Sequence, residues 1–228
     1  MIILGIETSS IVCSVGLVRD GKVLGIRTVE QANIHSEILV PLIKEISDET
    51  EVSIGEIDAV AISIGPGSFT GLRICMSSAK GICFALDKPL VPVPTFDAAA
   101  YAVIKENPSI LKIHFLVDAK RDEFYYGAYQ IANGCFNRLG DFEILSSNDV
   151  RIKDFHESDT IISDKVENVS KNFPTIKVLE FRRFCCGDAV AQVGAKLFEE
   201  GKKAEISNLE PLYLKDFVAH TVPKKLFQ

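Results

Sequence analysis

Ile2-Ile3-Leu4-Gly5-Ile6-Glu7 opens the chain, and Leu111-Lys112-Ile113-His114-Phe115-Leu116-Val117-Asp118 opens its second half. Each is a short apolar run closed by a carboxylate, the pattern of a buried strand. The stretches after the two runs are also alike. Val12 to Val18 and Val23 to Val29 read as strands joined across Arg19-Asp20-Gly21-Lys22, whose Asp-Gly pair favours a tight hairpin. Glu123 to Ile131 and Cys135 to Leu145 read as strands joined across Asn133-Gly134. Glu7 and Asp118 therefore hold matching places, as do the two turns.

Helices alternate with strands after each meander. Asn33 or Ser36 is placed to cap a helix reaching Thr50, and Pro41 inside it predicts a kink or a late start. Ser53 to Glu56 matches a capping box, and Asp58 to Ile64 is a buried strand. The glycine-rich loop Gly65 to Gly71 leads into a helix ending near Leu86. Leu90 to Val93 is a strand and Thr95 to Glu106 a helix. In the second half Ser147 opens a helix, Thr160 to Ser163 and Ile176 to Leu179 are strands, and Val166 to Asn172 is a short helix. Asp188 to Glu200 is a last helix, stopped by Gly201. The expectation is a duplicated α/β fold with a cleft between halves. Residues 1–106 form one subdomain. Residues 107–228 form a smaller one whose final segment packs back on the first.

Charge bounds the function. The chain has 25 basic and 31 acidic side chains, a net charge of -6, where a protein built to grip phosphate backbones carries a basic excess. No apolar run approaches the ~20 residues of a membrane span, and the opening run Ile2 to Ile6 is too short, and lacks the basic flank, to read as a secretion signal. The six cysteines form no C-x-x-C pair and read as reduced core thiols of a cytoplasmic protein. His35, His114, His156 and His220 show no metal-ligand spacing.

Three stretches are candidates for chemistry. The loop containing Gly65, Gly67 and Gly71 could hold an anion on its amides, but it is neither a P-loop nor a dinucleotide fingerprint. On residues alone the tight turn outweighs the anion site. Glu7, Thr8 and Ser9, with Asp118 opposite, could face phosphate or magnesium, or could be polar hairpin corners. On the helix from Gly71 to Leu86, the stripe Leu72, Cys75, Met76, Ala79, Ile82, Cys83 and Leu86 should face a core. Its other face, Ile74, Ser78, Gly81 and Ala85, is small enough for a second helix to approach. Whether that second helix comes from this domain or from a partner is open at this stage.

Taken together, Ile3-Leu4-Gly5-Ile6-Glu7-Thr8-Ser9-Ser10, His35-Ser36-Glu37 and Gly65-Pro66-Gly67-Ser68-Phe69-Thr70-Gly71-Leu72-Arg73 resemble the TsaB (YeaZ), glycoprotease-like family. Ala79-Lys80-Gly81, Val117-Asp118-Ala119 and Pro211-Leu212-Tyr213-Leu214 agree with it. The resemblance implies an actin/Hsp70/sugar-kinase-like (ribonuclease H-like) fold. It implies a non-catalytic subunit acting with TsaD and the ATPase TsaE to form N6-threonylcarbamoyladenosine (t6A) at position 37 of tRNAs reading ANN codons. No cofactor of its own is expected, although a nucleotide at the joint interface with TsaD has room in this scheme. tRNA would be met only through the complex, with neither DNA nor membrane as partner. Leu39, Leu42 and Ile43, with Ile74, Ser78, Gly81 and Ala85, are the expected interface for TsaD and for a homodimer. Catalytic relatives carry an H-x-x-x-H pair where this chain has Thr95 and Ala99, which cannot replace imidazole ligands. Fold analogy alone leaves an independent ATP-dependent phosphotransferase as an alternative. An old family label leaves a metallopeptidase.

Overall fold

The computed structural model describes residues 1–214. Its first half runs β1 (Ile2–Glu7), β2 (Val12–Arg19), β3 (Lys22–Glu30), α1 (His35–Thr50), β4 (Ala59–Ser63), α2 (Phe69–Leu86), β5 (Leu90–Val93) and α3 (Thr95–Glu106). The second half runs β6 (Lys112–Lys120), β7 (Glu123–Ala132), β8 (Cys135–Arg138), β9 (Glu143–Ser146), α4 (Ser147–Ile152), β10 (Thr160–Ser163), α5 (Val166–Asn172), β11 (Lys177–Glu180) and α6 (Gly187–Glu199).

The sheets share one plan. Their orders are β3-β2-β1-β4-β5 and β11-β10-β6-β7-β8, so each half places its first strand centrally, its hairpin on one side and its crossover strands on the other. The hairpin pairs are antiparallel and the crossover pairs parallel. The duplicated α/β plan expected from the sequence is thus present in the topology. Even the turns agree: Asp20 and Gly21 have φ of 48° and 75°, and Asn133 and Gly134 have 54° and 72°. Two successive positive φ values are what a two-residue hairpin needs to match strand twist.

Helices α1 and α2 cover the outer face of the first sheet. Leu39, Leu42, Ile43 and Ile46 recur at helical spacing and pack with Cys75, Met76 and Ala79 on Leu4, Ile6, Val60 and Ile62. The short α4 and α5 cover the second sheet, setting Val150 and Val169 against Leu116 and Phe124. Between the sheets lie α3 and α6, in the largest core. On the second sheet, side chains fill the gap: Phe96 of α3 stacks on Phe115 of β6 at 4.6 Å. On the first, backbones touch. A Cβ on Gly5 would stand 2.1 Å from the Gly187 carbonyl oxygen, and one on Gly16 2.2 Å from the Asp188 nitrogen. Helix α6 sits this low on β1 and β2 only because side chains are missing there.

Several local expectations fail for identifiable reasons. The third strand of the second half is broken at Leu139-Gly140, where Gly140 takes φ 87°, and β9 returns to pair with the other end of β7. Helix α1 starts at His35 after Ile34, with no side-chain cap from Asn33 or Ser36. It continues through Pro41, which lies on its exposed face. Ser146, not Ser147, caps α4, with Asp149 completing a capping box. A 3-10 turn at Phe181–Phe184 has no counterpart in the sequence reading; it buries both phenylalanines to 1% exposure. The capping box at Ser53 and Glu56 is as expected, over a 3-10 turn.

Candidate functional site

The ends of β1 and β6 open onto a cleft of about 900 Å³ between the halves. Ser9, Gly67, Ser68 and Gly71 line it from the first half, and Asp118, Lys120, Arg121, Asp164 and Lys165 from the second. Of the residues expected to face a phosphate, the fold brings Ser9 and Asp118 to one cavity.

Glu7 and Thr8 are elsewhere, and this corrects the sequence reading. Both are fully buried. Glu7 turns inward, accepting from Ser63 Oγ at 2.5 Å and from the Ser9 amide at 2.5 Å. Burial pushes its carboxyl pKa up, against those hydrogen bonds. Thr8 Oγ1 donates to the Gly71 carbonyl at 2.9 Å, tying β1 to the start of α2. These groups hold the corner together.

The glycine loop has the role of a close-packed turn. Gly65 has φ 114°. A Cβ at Gly67 would meet the Ser9 carbonyl oxygen at 2.5 Å, and one at Gly71 the Thr8 carbonyl oxygen at 2.0 Å. Ser68 caps α2 by accepting from the Gly71 amide. Gly67 and Gly71 also border the cleft, so the turn is compatible with a ligand there.

Asp118 faces outward and is covered by cations. Its Oδ1 accepts from the Lys120 amide at 3.0 Å. Its Oδ2 meets Lys120 Nζ at 2.8 Å and Lys165 Nζ at 3.4 Å. Its own amide donates to Asp164 Oδ1 at 2.9 Å. Partial burial works against the charge on Asp118, but the Lys120 hydrogen bonds and the two ammonium charges win and hold the carboxyl below its ordinary range. Burial pushes Asp164 the other way. The corner itself is a run of three left-handed residues, Lys120, Arg121 and Asp122, at φ 63°, 57° and 61°. By sequence this stretch reads as a solvated turn, and its return to the cleft goes undetected.

The described histidines are separately engaged. His35 bonds the Val12 carbonyl, His156 the Ser158 hydroxyl, and His114 lies buried between Tyr126 and Asp159 at 3.0 Å from each. His220 is outside the described residues. Thr95 Oγ1 accepts from the Gly65 amide at 3.1 Å, and Ala99 is buried. Among the described residues no group of three or more His, Cys, Asp or Glu is placed to hold a metal, and no helix is long and apolar enough to cross a membrane.

The second candidate region is the outer face of α1 and α2. Leu39, Leu42 and Ile43 are not part of its surface: they are 1%, 5% and 5% exposed, in the core under α1. Their spacing of three and four is that of a core stripe. The outer face of α1 belongs to Val40, Pro41 and Lys44 instead. On α2 the small face lies at the surface as the sequence suggests, but Leu86, expected in the core stripe, is exposed as well, at the last turn of the helix. Ile74 and Ser78 are partly exposed, Gly81 and Ala85 exposed, and a Cβ on Gly81 would meet nothing within 4 Å. Phe84 beside them is 84% exposed and Val40 61%. A shallow groove lined by Ser36, Phe69, Arg73, Ile74 and Ser78 connects this face to the cleft.

Residues 22–152 match the family model described as TsaD, tRNA N6-adenosine threonylcarbamoyltransferase. The Escherichia coli protein named tRNA threonylcarbamoyladenosine biosynthesis protein TsaB is 25% identical, with 96% of each chain aligned. The Haemophilus influenzae protein of the same name is 32% identical over 54% of this chain and 52% of its own length, so that match spans about half of the relative. The solved structure of YeaZ from Pseudomonas aeruginosa superposes with a TM-score of 0.81 at 23% identity, covering 93% of this chain and all of that one. That likeness is one of fold.

Proposed function

The chain belongs to the glycoprotease-like family of TsaD and TsaB (YeaZ), standing with the TsaB (YeaZ) proteins, and on that premise we propose that it is a non-catalytic partner subunit in t6A formation on tRNA. In this reading TsaD supplies the chemistry, TsaE joins as ATPase, and this chain contributes a surface. The two halves, 1–106 and 107–228, act as one platform, the first bearing the interface.

The observation that carries the reading is the outer face of α2. Gly81 stands in open space between Ile74, Ser78 and Ala85, with Phe84 almost fully exposed alongside. Large exposed apolar side chains beside small ones are what a close helix–helix contact requires. The cleft supports the non-catalytic part. Glu7 is used up inside the fold, Asp118 is neutralised by two lysines, and Thr95 and Ala99 are core residues where catalytic relatives are expected to carry histidines.

The test uses purified chain and TsaD. The full chain should capture TsaD and, with TsaE, ATP, threonylcarbamoyl-adenylate and tRNA, raise t6A yield above that of TsaD alone. By itself it should give none. Turnover by this chain without TsaD overturns the reading, as does failure to capture TsaD. Without TsaD the same face should pair two copies of the chain, because a two-fold contact presents one patch to itself.

A further inference from the structure

Phe84 and the groove beside Ile74 are two ends of one surface. Phe84 stands on the outer face of α2 with 84% of its surface exposed, and little among the described residues covers the ring. Ten residues earlier on the same helix, about 15 Å away along its axis, Ile74, Ser77 and Ser78 line the shallow groove that Ser36 of α1 borders from the other side. Between knob and groove lies Gly81, where a Cβ would meet nothing within 4 Å. The charges have a direction too. α1 and α2 begin side by side, since Ser36 and Thr70 line the same groove. Arg73 stands near the start of α2, the positive end of its dipole, and α2 has no acidic residue in its first turn. The far end of α1 carries Glu45, Asp48, Glu49 and Glu51 against the cations Arg27 and Lys44, with no basic residue in its last turn. Arg73 and the acidic end of α1 are thus each placed where the dipole of their own helix disfavours them.

We propose that two copies of the chain pair two-fold with their α2 helices antiparallel, Phe84 of each copy seated in the Ser36–Ile74–Ser78 groove of the other. A two-fold contact needs a surface that complements itself. This one has its knob and its groove on one helix, on either side of a small-residue crossing point. When the helices cross midway between Ser77 and Gly81, Phe84 of one copy lies level with Ile74 of the other, and symmetry repeats the contact at the opposite end. The same direction brings Arg73 of each copy toward the acidic end of the other copy's α1, so each charge is answered across the contact. A parallel pairing would set knob on knob and groove on groove. The proposal rests on the reading of α2 as a contact face, and fixes the register and the deepest contact of that face.

The experiment measures dimer dissociation of the full chain by analytical ultracentrifugation. Phe84→Ala removes the knob, and Ser77→Phe fills the groove. Both positions are exposed, so these variants keep the fold, and circular dichroism verifies it. Each variant alone should dimerise at least about a hundredfold more weakly than the parent, because symmetry doubles the loss of a buried phenylalanine. Mixed in equal amounts, the two variants should pair with each other more tightly than either pairs with itself. At one end of the mixed dimer an intact Phe84 meets an open groove, and at the other an alanine meets a filled one. A parent that stays monomeric, unchanged dimerisation of either variant, or a mixture no tighter than its components overturns the proposal. TsaD capture by the parent chain is read alongside. Capture together with any of those three results removes this register and leaves the partner-subunit reading standing, whereas failure of capture removes that reading.

Discussion

Glu7 ends β1 and Asp118 stands two residues before the end of β6, and each accepts the backbone amide two residues on, from Ser9 at 2.5 Å and from Lys120 at 3.0 Å. Up to that hydrogen bond the halves are copies. Beyond it they part. Glu7 is sealed under a glycine turn with Ser63 as its other partner, while Asp118 lies at the cleft under two lysines. The helices diverge in the same sense. The first half carries α1 and α2 of 16 and 18 residues, whereas α4 and α5 have 6 and 7. A shared backbone plan thus leaves the role of a carboxylate to its surroundings. One half has become a packed platform with an outer face. The other keeps its polar corner at the cleft.

The largest effect should come from the layer where α6 meets the first sheet. Gly5 and Leu116 each stand two residues before the carboxylate of their strand, but Gly5 faces α6 between the sheets and Leu116 faces the outer helices α4 and α5. Gly5→Val drives a side chain into the Gly187 carbonyl and the Ala191 amide, which are backbone and cannot move aside. It should cost more than about 4 kcal/mol, the range of severe steric disruption. Leu116→Ala only empties space and should cost about 2–5 kcal/mol. Urea unfolding orders the two. A milder loss for Gly5→Val would mean that α6 can lift off β1.

The carboxylates should differ next. Glu7→Ala strands the Ser9 amide in a buried site and leaves the Ser63 hydroxyl only the Ile6 carbonyl at 3.3 Å, and an unsatisfied group of that kind costs about 1–3 kcal/mol. Asp118→Ala removes one partner from two lysines that solvent can reach, and exposed pairs contribute about 0–1 kcal/mol. Equal losses in denaturant titrations would erase the distinction between a sealed and an open corner.

The halves should also answer pH in opposite directions. Burial raises the Glu7 pKa, so the folded state holds a proton that the unfolded chain releases from about pH 4.3. Its contribution is complete below that value and is lost as pH rises through the folded pKa. His114 is the reverse. Burial lowers its pKa, with Asp159 opposing and Lys112 and Lys153 assisting. Its contribution is complete above about pH 6.5 and is lost as pH falls through the folded pKa. Urea midpoints tracked across mildly acidic pH should therefore lose one slope in Glu7→Gln and the opposite slope in His114→Gln. The same slope change in both variants would contradict the assignment.

Strands, helices and turns are legible because burial imprints a period on the sequence, and the two hairpin turns are legible because positive φ selects Asp-Gly and Asn-Gly. The direction of a polar group at a strand end leaves no such imprint. Nothing in Glu7-Thr8-Ser9 distinguishes a carboxylate turned to Ser63 from one turned to the cleft, since the deciding partner is 56 residues away. The lysine pair on Asp118 is hidden for the same reason: Lys120 and Lys165 meet there only after β6 and β10 pair. Leu39, Leu42 and Ile43 are a different case. Their i, i+3, i+4 spacing is itself the signature of a core stripe, and the surface expected of them belongs to Val40 and Pro41.

The smallest effect on folding should accompany a complete effect on assembly. Gly81 lies inside α2, and no atom stands within 4 Å of where its Cβ would be. Glycine in a helix interior costs about 0.8–1.0 kcal/mol relative to alanine, and arginine lies close to alanine. Gly81→Arg should then leave the isolated chain as stable as before, or more stable by up to about 1 kcal/mol, with unchanged circular dichroism. Association should fail, since a long charged side chain cannot sit between helices packed through small residues and is costly to bury unpaired. Light scattering should report a monomer where the parent dimerises, and TsaD capture should be lost in the same sample. The matched change in the second half, Ser170→Arg on the outer helix α5, should disturb neither assembly. If Gly81→Arg folds, dimerises and still captures TsaD, the contact surface lies outside α2. If Ser170→Arg also breaks assembly, the division of labour between the halves is wrong.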